Sequence, residues 1–342
     1  MPVINFGIVG LGYIGKIHAK IIASLSNARL IGVVDNNESI ACDMGKMYSC
    51  KIYDNLEEML KEKKIDAISV CLPSGMHYEA VIKSANAEKH VIVEKPLEIG
   101  VERAEKMVET CHKNNIKLCV ILQHRFDDAI LNLKAVIDKG LMGDLCFGTS
   151  KTLWYRDSDY FLKNAWRGTP ELDGGGALIN QSIHYIDLLQ YIMGPVEKVY
   201  GKCSRLYHKY IRVEDTGIAL LVFKNGALGS IEGTTIAYPG ISTNLDIYGA
   251  NGTVCIKNDK LVFYKFKTGS VQLLDEILYI DNPPCVTELD ITSHKKQYKD
   301  FIESINENRD PLVNGEEGIK SLALVEAIYK SSNGDKWVKP LY

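Results

Sequence analysis

No stretch of this sequence stays apolar long enough to cross a membrane. The longest runs, such as Ile218–Phe223, fall far short of the roughly 20 residues a spanning helix needs. Neither sign of charge dominates. Lys and Arg number 40 against 43 Asp and Glu, the net charge is −3, and no long run of like charge appears. This excludes the basic field on which nucleic-acid binding depends. There is no CxxC pair, and nine cysteines make an odd number. They are expected to be small apolar core residues of a cytoplasmic chain, not a disulfide framework or a zinc site. The chain enters a strand at once, over Val3–Val9, so no secretory leader is expected.

What is present is ordinary globular composition, with 46% hydrophobic and 24% charged residues, over 342 residues. That length favours two domains. We divide it into residues 1–123, a nucleotide-binding half, and residues 124–342, a substrate-binding and oligomerisation half. In the first, apolar strands (Asn5–Val9, Arg29–Val34, Ala67–Cys71, His90–Val93, Lys117–Leu122) alternate with amphipathic helices (15–25, 39–47, 56–63, 77–86, 101–114). This pattern gives a parallel sheet with helices on both faces. In the second, strands come consecutively: Leu145–Leu153, Val196–Leu206, Thr216–Phe223, Leu228–Thr235, Asn244–Tyr248, Thr253–Ile256 and Lys260–Phe266. Turn signals at 224–226, 249–252 and 258–259 separate several of them, as one sheet with helices on one face requires. A final helix is expected near residues 316–331.

Three constellations carry chemistry. After the first strand stands Gly10-Leu-Gly12-Tyr13-Ile14-Gly15, opening a helix, with Asp35 twenty residues beyond at the end of the second strand. Gly10 permits the turn, Gly12 lets backbone approach a pyrophosphate, and Gly15 lets the helix pack on the sheet. The pyrophosphate would meet amides at the helix N-terminus, and Asp35 the adenosine ribose. Asn36-Asn37-Glu38 offers no arginine for a ribose phosphate, so the expected cofactor is NAD, not NADP. Pro73-Ser74-Gly-Met-His77 follows another strand at the ligand-binding end of the sheet. Ser74 and His77 are candidate cofactor contacts, His77 being equally a cap or a satisfied surface histidine. Second, Glu94-Lys95-Pro96 puts a lysine at the end of a buried strand. Third, Asn180-Gln-Ser-Ile-His184 puts an amide and an imidazole on one helical face. A lysine, a histidine and a nicotinamide suffice to oxidise an alcohol.

With His18, Gln123-His-Arg-Phe126, Trp166-Arg167, Gly174-Gly-Gly176 and Asp187, these motifs resemble the glucose–fructose oxidoreductase/inositol dehydrogenase (Gfo/Idh/MocA) family over nearly the whole chain. The resemblance implies an α/β Rossmann domain plus an α+β domain with an open, mostly antiparallel sheet. The free face of that sheet would be buried in a homo-dimer or tetramer. It implies Lys95 and His184 as catalytic residues, either of which takes the proton, and a cis peptide before Pro96. Many members carry an aspartate where this chain has Asn180, which holds a hydroxyl but does not titrate. Cofactor contacts are expected from Gly10, Gly12, Tyr13, Ile14, Gly15, Asp35, Pro73, Ser74, His77, Glu94, Lys95, Gln123, Trp166 and Arg167.

The segment Trp154-Tyr155-Arg156 through Tyr160-Phe161, Lys163 and Trp166-Arg167, then Asp173, combines aromatic faces for a sugar or base with cations for phosphate or carboxylate. Its plain alternative is a surface loop with two core tryptophans. Together with Asn180-Gln-x-x-His184 and Thr234–Gly240, it resembles a branch of the family that oxidises the C3 hydroxyl of UDP-N-acetylglucosaminuronic acid in surface-polysaccharide biosynthesis. In that branch Tyr238 would face substrate beside Arg156, Lys95, Asn180 and His184, whereas Phe161 replaces an expected tyrosine. The competing readings are a dehydrogenase of a free sugar or of a cyclitol such as inositol, and a non-catalytic NAD and sugar sensor. His184 and Asp187 have helical spacing for a metal, but no second pair accompanies them, and no metal is expected.

Overall fold

The computed structural model describes residues 2–267 and 290–342. It resolves into two compact units, one built from residues 1–123 with Asp290–Ile319, the other from residues beginning at His124 with Lys320–Tyr342.

The first unit carries strands β1 (Ile4–Val9), β2 (Ala28–Val34), β3 (Lys51–Ile52), β4 (Ala67–Val70), β5 (His90–Val93) and β6 (Leu118–Val120). They form one parallel sheet in the order β3-β2-β1-β4-β5-β6. β1 and β4 read as almost continuous apolar runs because both faces of the sheet are covered. The covering helices are α1 (Tyr13–Ala23), α2 (Glu38–Tyr48), α3 (Leu56–Leu60), α4 (His77–Asn86) and α5 (Val101–Lys113). The Asn37 side chain accepts from Ile40 N–H to start α2, and Asn55 accepts from Glu58 N–H to start α3. The two-residue β3 is too short to show in the pattern.

In the second unit, α6 (Asp128–Asp138), β7 (Leu145–Leu153), α7 (Ser158–Leu162) and α8 (Ile183–Met193) precede β8 (Val196–Ser204), β9 (Thr216–Phe223), β10 (Leu228–Thr234), β11 (Ser242–Gly249), β12 (Gly252–Lys257) and β13 (Lys260–Phe266). The seven strands run in the order β13-β12-β11-β7-β10-β9-β8. Every pairing is antiparallel except β10 with β7. Alternating burial along β9 shows that one face is covered and the other open. Asn258 and Asp259 both take positive φ to close the β12–β13 hairpin, as that turn chemistry demands.

Two further helices follow, α9 (Thr292–Glu307) and α10 (Gly315–Gly334). α9 belongs with the first unit, although a single cut after residue 123 would put it in the second. The reason is apolar: Tyr298, Phe301 and Ile302 are fully buried in one cluster with Phe6, Ile8, Ile21, Ile22 and Ile92. The Phe6 ring lies 5.7 Å from Tyr298 and 6.3 Å from Phe301, and Gln297 Nε2 donates to the Val120 carbonyl at 2.7 Å. α6, α7 and α9 are additions to the helices expected from the pattern. Among the described residues eight cysteines are free thiols, and Cys285 lies outside them. No helix among the described residues is long and apolar enough to cross a membrane.

Candidate active site

Gly10 turns the chain at φ +90°, where a Cβ would meet the Cys71 carbonyl oxygen at 2.6 Å. At Gly15 a Cβ would lie 2.0 Å from the Gly10 carbonyl oxygen, so α1 packs this closely only with glycine there. Above Gly12 there is open space instead, with nothing within 4 Å of an ideal Cβ. Gly12 caps α1 without a side-chain bond, and no acid stands in the first turn. The amides at Tyr13 and Ile14 therefore meet no competing anion from the helix itself. Asp35 closes the loop from below: Oδ2 accepts from Leu11 N–H at 2.6 Å and Oδ1 from Asn37 N–H at 2.8 Å. Each oxygen keeps a lone pair for a ribose hydroxyl. These residues fit a dinucleotide.

Ser74 is buried in a short turn that opens α4. His77 is not a surface histidine. It is fully buried, with Nε2 2.9 Å from the Leu72 carbonyl and Nδ1 3.0 Å from that of Pro96, and burial lowers its pKa. It ties the loop after β4 to the turn around Lys95. The Lys95–Pro96 peptide is cis.

Glu94 points inward. Its Oε2 accepts from Lys95 N–H at 3.0 Å, and its Oε1 meets His18 Nε2 at 3.1 Å. The other ring nitrogen of His18 lies 2.8 Å from both Ser69 Oγ and Tyr298 OH. Burial favours neutral groups here, but the Cys71 thiol and Glu94 hold His18 up at about 10. Burial is likewise overcome at Glu94, which the His18 bond and charge bring down to about 2. The backbone of Lys95 is thus anchored to a buried ion pair. His18, Glu94 and His294 also have metal-ligand spacing, but the His18–Glu94 pairing accounts for two of the three.

This pair makes stability pH-dependent in two windows. The Glu94 contribution is complete above its ordinary 4.5 and fades as pH falls toward about 2. That of His18 is complete below its ordinary 6.5 and fades as pH rises toward about 10. Glu94→Gln is therefore expected to lower stability most between those two ordinary values, by roughly 2 kcal/mol for a charged hydrogen bond lost. Thermal midpoints across acid to alkaline buffers test it. A wild-type-to-variant gap that is constant with pH would reject the charged pair.

In the second unit, Asn180 lies in a π-helical turn, Ala177–Ser182, and His184 in the first turn of α8. Insertions of this kind gather at functional sites. Asn180 Nδ2 donates to Asp173 Oδ1, and Asn180 Oδ1 accepts from Gln181 Nε2 at 3.0 Å. Asp173 is buried, its other oxygen accepting from Gly168 N–H at 2.7 Å. A carboxylate thus stands directly behind the amide that cannot titrate. Gln181 extends the network, donating to Tyr160 OH at 2.7 Å and accepting from Arg156 Nε at 3.0 Å. The Arg156 guanidinium lies 4.8 Å from the Trp154 ring and 4.9 Å from Tyr160. That of Arg167 is 3.8 Å from Tyr160 and 5.3 Å from Trp166. Neither tryptophan is a core residue; both are half-buried in a layer of rings and guanidiniums.

Other expected residues fall elsewhere. Phe161 is buried with Ile211 and Val213, where a tyrosine hydroxyl would lack water. Lys163 is exposed and paired with Asp159. Tyr238 is exposed, edge-on to Tyr155 with centroids 5.1 Å apart. Asp187 is no metal ligand: Arg125 Nε and Nη2 grip its two oxygens at 2.8 and 2.7 Å. Gln123 is buried at the end of the first unit.

His124 escaped the sequence reading. Its ring lies 5.0 Å from that of His184, and its Nδ1 is 2.7 Å from Asp127 Oδ2 and 3.2 Å from Asp259 Oδ1. Burial opposes its charge, but Asp259 and Asp127 raise it to about 10. A ring already protonated at neutral pH does not compete with His184 for a substrate proton. The signal was a histidine three residues before an aspartate. The Asp259 partner comes from the β12–β13 turn, and no local pattern announces it.

Residues 4–122 match the model for an oxidoreductase family with an NAD-binding Rossmann fold, and residues 134–339 match that family's C-terminal alpha/beta domain. The chain belongs to the Gfo/Idh/MocA oxidoreductase family. Its NAD-binding Rossmann fold lies within the first unit, and the chain is an NAD-dependent oxidoreductase of the sugar dehydrogenase class. Within the Gfo/Idh/MocA proteins it is similar to the WlbA dehydrogenase of Bordetella pertussis, solved with NADH and UDP-GlcNAcA. The two share 32% identity with a TM-score of 0.88, over 99% of this chain and 100% of that one. The WlbA dehydrogenase of Chromobacterium violaceum, solved with the same two molecules, shares 28% identity with a TM-score of 0.87, over 99% and 96% of the two chains. Myo-inositol 2-dehydrogenase of Thermotoga maritima is 29% identical over 98% of both chains.

Proposed function

We propose that the chain oxidises a sugar ring hydroxyl, C3 of UDP-N-acetylglucosaminuronic acid, in the assembly of a surface polysaccharide. The observation that carries this is the arginine–aromatic layer of Arg156, Arg167, Trp154, Tyr160 and Trp166, joined through Gln181 to Asn180. Stacked guanidiniums suit a planar carboxylate or a diphosphate better than a neutral polyol. The likeness to two dehydrogenases crystallised with UDP-GlcNAcA supports the same substrate.

NAD, when bound, supplies the hydride acceptor. Lys95 holds the reacting hydroxyl and takes its proton, with His184 as relay or alternative base. Asn180, its amide oriented by Asp173, fixes the sugar. Arg156 and Arg167 hold the substrate anions, and Tyr238 contributes a hydroxyl.

Purified protein mixed with NAD and UDP-N-acetylglucosaminuronic acid is expected to grow an NADH absorbance band that the protein-free mixture lacks. A second reading, oxidation of a cyclitol, draws on the identity with an inositol dehydrogenase. A band appearing with myo-inositol and not with the nucleotide sugar would replace the first reading with this one.

The chain works, on this proposal, as a dimer or tetramer through the open face of the second sheet. Ile218 and Leu220 of β9 and Leu228 of β10 are 54%, 57% and 55% exposed there, an apolar patch that water disfavours. Sedimentation is expected to show an oligomer that Leu220→Lys with Ile218→Lys reduces to a monomer. A wild-type monomer would end the idea.

A further inference from the structure

Three successive backbone amides at the start of the Asn180 segment all end on one residue. Gly176 N–H donates to Glu214 Oε2 at 2.9 Å, and Leu178 N–H to Glu214 Oε1 at 2.9 Å. Ala177 N–H, between them, donates to the Glu214 carbonyl at 3.1 Å. The hydroxyl of Tyr329, on α10, adds a bond to Oε1 at 2.8 Å. The glycines before the segment follow from this crowding. A Cβ on Gly176 would lie 1.9 Å from the Glu214 carbonyl oxygen, and one on Gly175 would lie 2.3 Å from Tyr329 OH. The rest of the π turn is equally constrained. Ser182 Oγ donates to the Ala177 carbonyl at 2.7 Å, and a Cβ on Gly233 of β10 would reach Ser182 Oγ at 2.4 Å.

We propose that Glu214, backed by Tyr329, is a positioning residue that holds the π-helical turn in register and so aims Asn180 and His184. The first residues of a helix leave amides without intrahelical partners. A π turn widens the ring and makes its register less self-determined than that of an α-helix. A carboxylate with both oxygens engaged fixes that register from outside. It lies on the segment leading into β9, so a rigid sheet strand sets the aim. Glu214 is buried, only 9% exposed, and no cation pairs with it among the bonds described. Burial accordingly pushes it up to about 7 despite the two amides and Tyr329 that pull it down. A carboxyl kept at such cost in desolvation, with both oxygens taking amides of one segment, has a specific task.

The inference rests on the reading that Asn180 and His184 handle the substrate, and its test separates the two. Glu214→Gln preserves shape, but one of its two ends becomes an N–H donor facing a backbone N–H. The expected result is a fall in turnover per NADH-binding site of about 10- to 100-fold, equivalent to one or two lost bonds to a charged acceptor. NADH affinity stays within about twofold because the cofactor loop is built in the other unit. Amide exchange in the peptide covering residues 174–184 quickens, while the β9 and β10 peptides stay protected. Tyr329→Phe, which removes one bond and adds no clash, is expected to show the same pattern at about threefold. Counting NADH-binding sites removes any loss from unfolded protein, which a merely structural role would produce. Wild-type turnover per site, or unchanged exchange over 174–184 in both variants, overturns the proposal. His184→Ala measured alongside distinguishes the failures. Wild-type turnover there strikes the substrate reading itself, whereas impaired His184→Ala beside fully active Glu214→Gln strikes only the positioning role.

Discussion

Lys95→Ala is expected to cut turnover by at least about 10³-fold, through loss of the proton acceptor or, where His184 is the base, of the positive charge at the developing alkoxide. NADH affinity should stay within about twofold. The lysine backbone is held independently of its side chain, by Glu94 Oε2 on its N–H. Alanine therefore keeps the turn. Nor does the substitution touch Asp35 or the glycine loop. Lys95→Arg sharpens the result. An arginine keeps the charge but does not give up its proton at any working pH. If Lys95 is the base, the arginine variant is as inactive as the alanine one. If His184 is the base, it retains a measurable fraction. Turnover by NADH absorbance and affinity by NADH fluorescence check both. Wild-type turnover in Lys95→Ala would remove the lysine from the mechanism.

The largest effect on stability is expected from the Arg125–Asp187 pair. Both side chains are 2% exposed, the bond is bidentate, and the guanidinium stacks 4.4 Å from the Tyr191 ring. Asp187→Ala takes the bidentate carboxylate away from a buried guanidinium and is expected to cost about 3–5 kcal/mol. Replacing both partners, Arg125→Met with Asp187→Leu, removes the buried charge as well and is expected to recover most of that loss. Urea unfolding of the three proteins decides the matter. A single variant within about 1 kcal/mol of wild type would mean that water reaches the site and solvates the arginine.

What could be read ahead of the structure was local. The glycine loop, Asp35 and the strand boundaries of the second sheet depend on residues a few positions apart, and Leu145–Leu153, Thr216–Phe223 and Lys260–Phe266 match the observed strands. What was missed depends on long-range partners. Asn180 and His184 stand four apart as an α-helix would have them, but the turn before His184 is π, and its first amides go to Glu214, over thirty residues away. Asp187 shares a helical face with His184, but the partner that holds it, Arg125, lies 62 residues off. α9 did leave a local trace, since Tyr298, Phe301, Ile302 and Ile305 follow helical spacing. Its destination, against Phe6, left none.

That destination has a consequence for how the protein is made. The ribosome delivers residues 1–123 first, yet their core lacks Tyr298, Phe301 and Ile302 until Asp290–Ile319 follows, after the 166 residues 124–289 (289 − 123). At about 5–20 residues per second that is a delay of roughly 10–30 s. Through it, the nascent nucleotide-binding unit shows water the apolar surface that α9 will cover. A fragment ending at residue 123 would keep that surface permanently and is expected to aggregate. The same fragment supplied with residues 290–319 through a short linker is the smallest piece in which the NAD-binding core is whole.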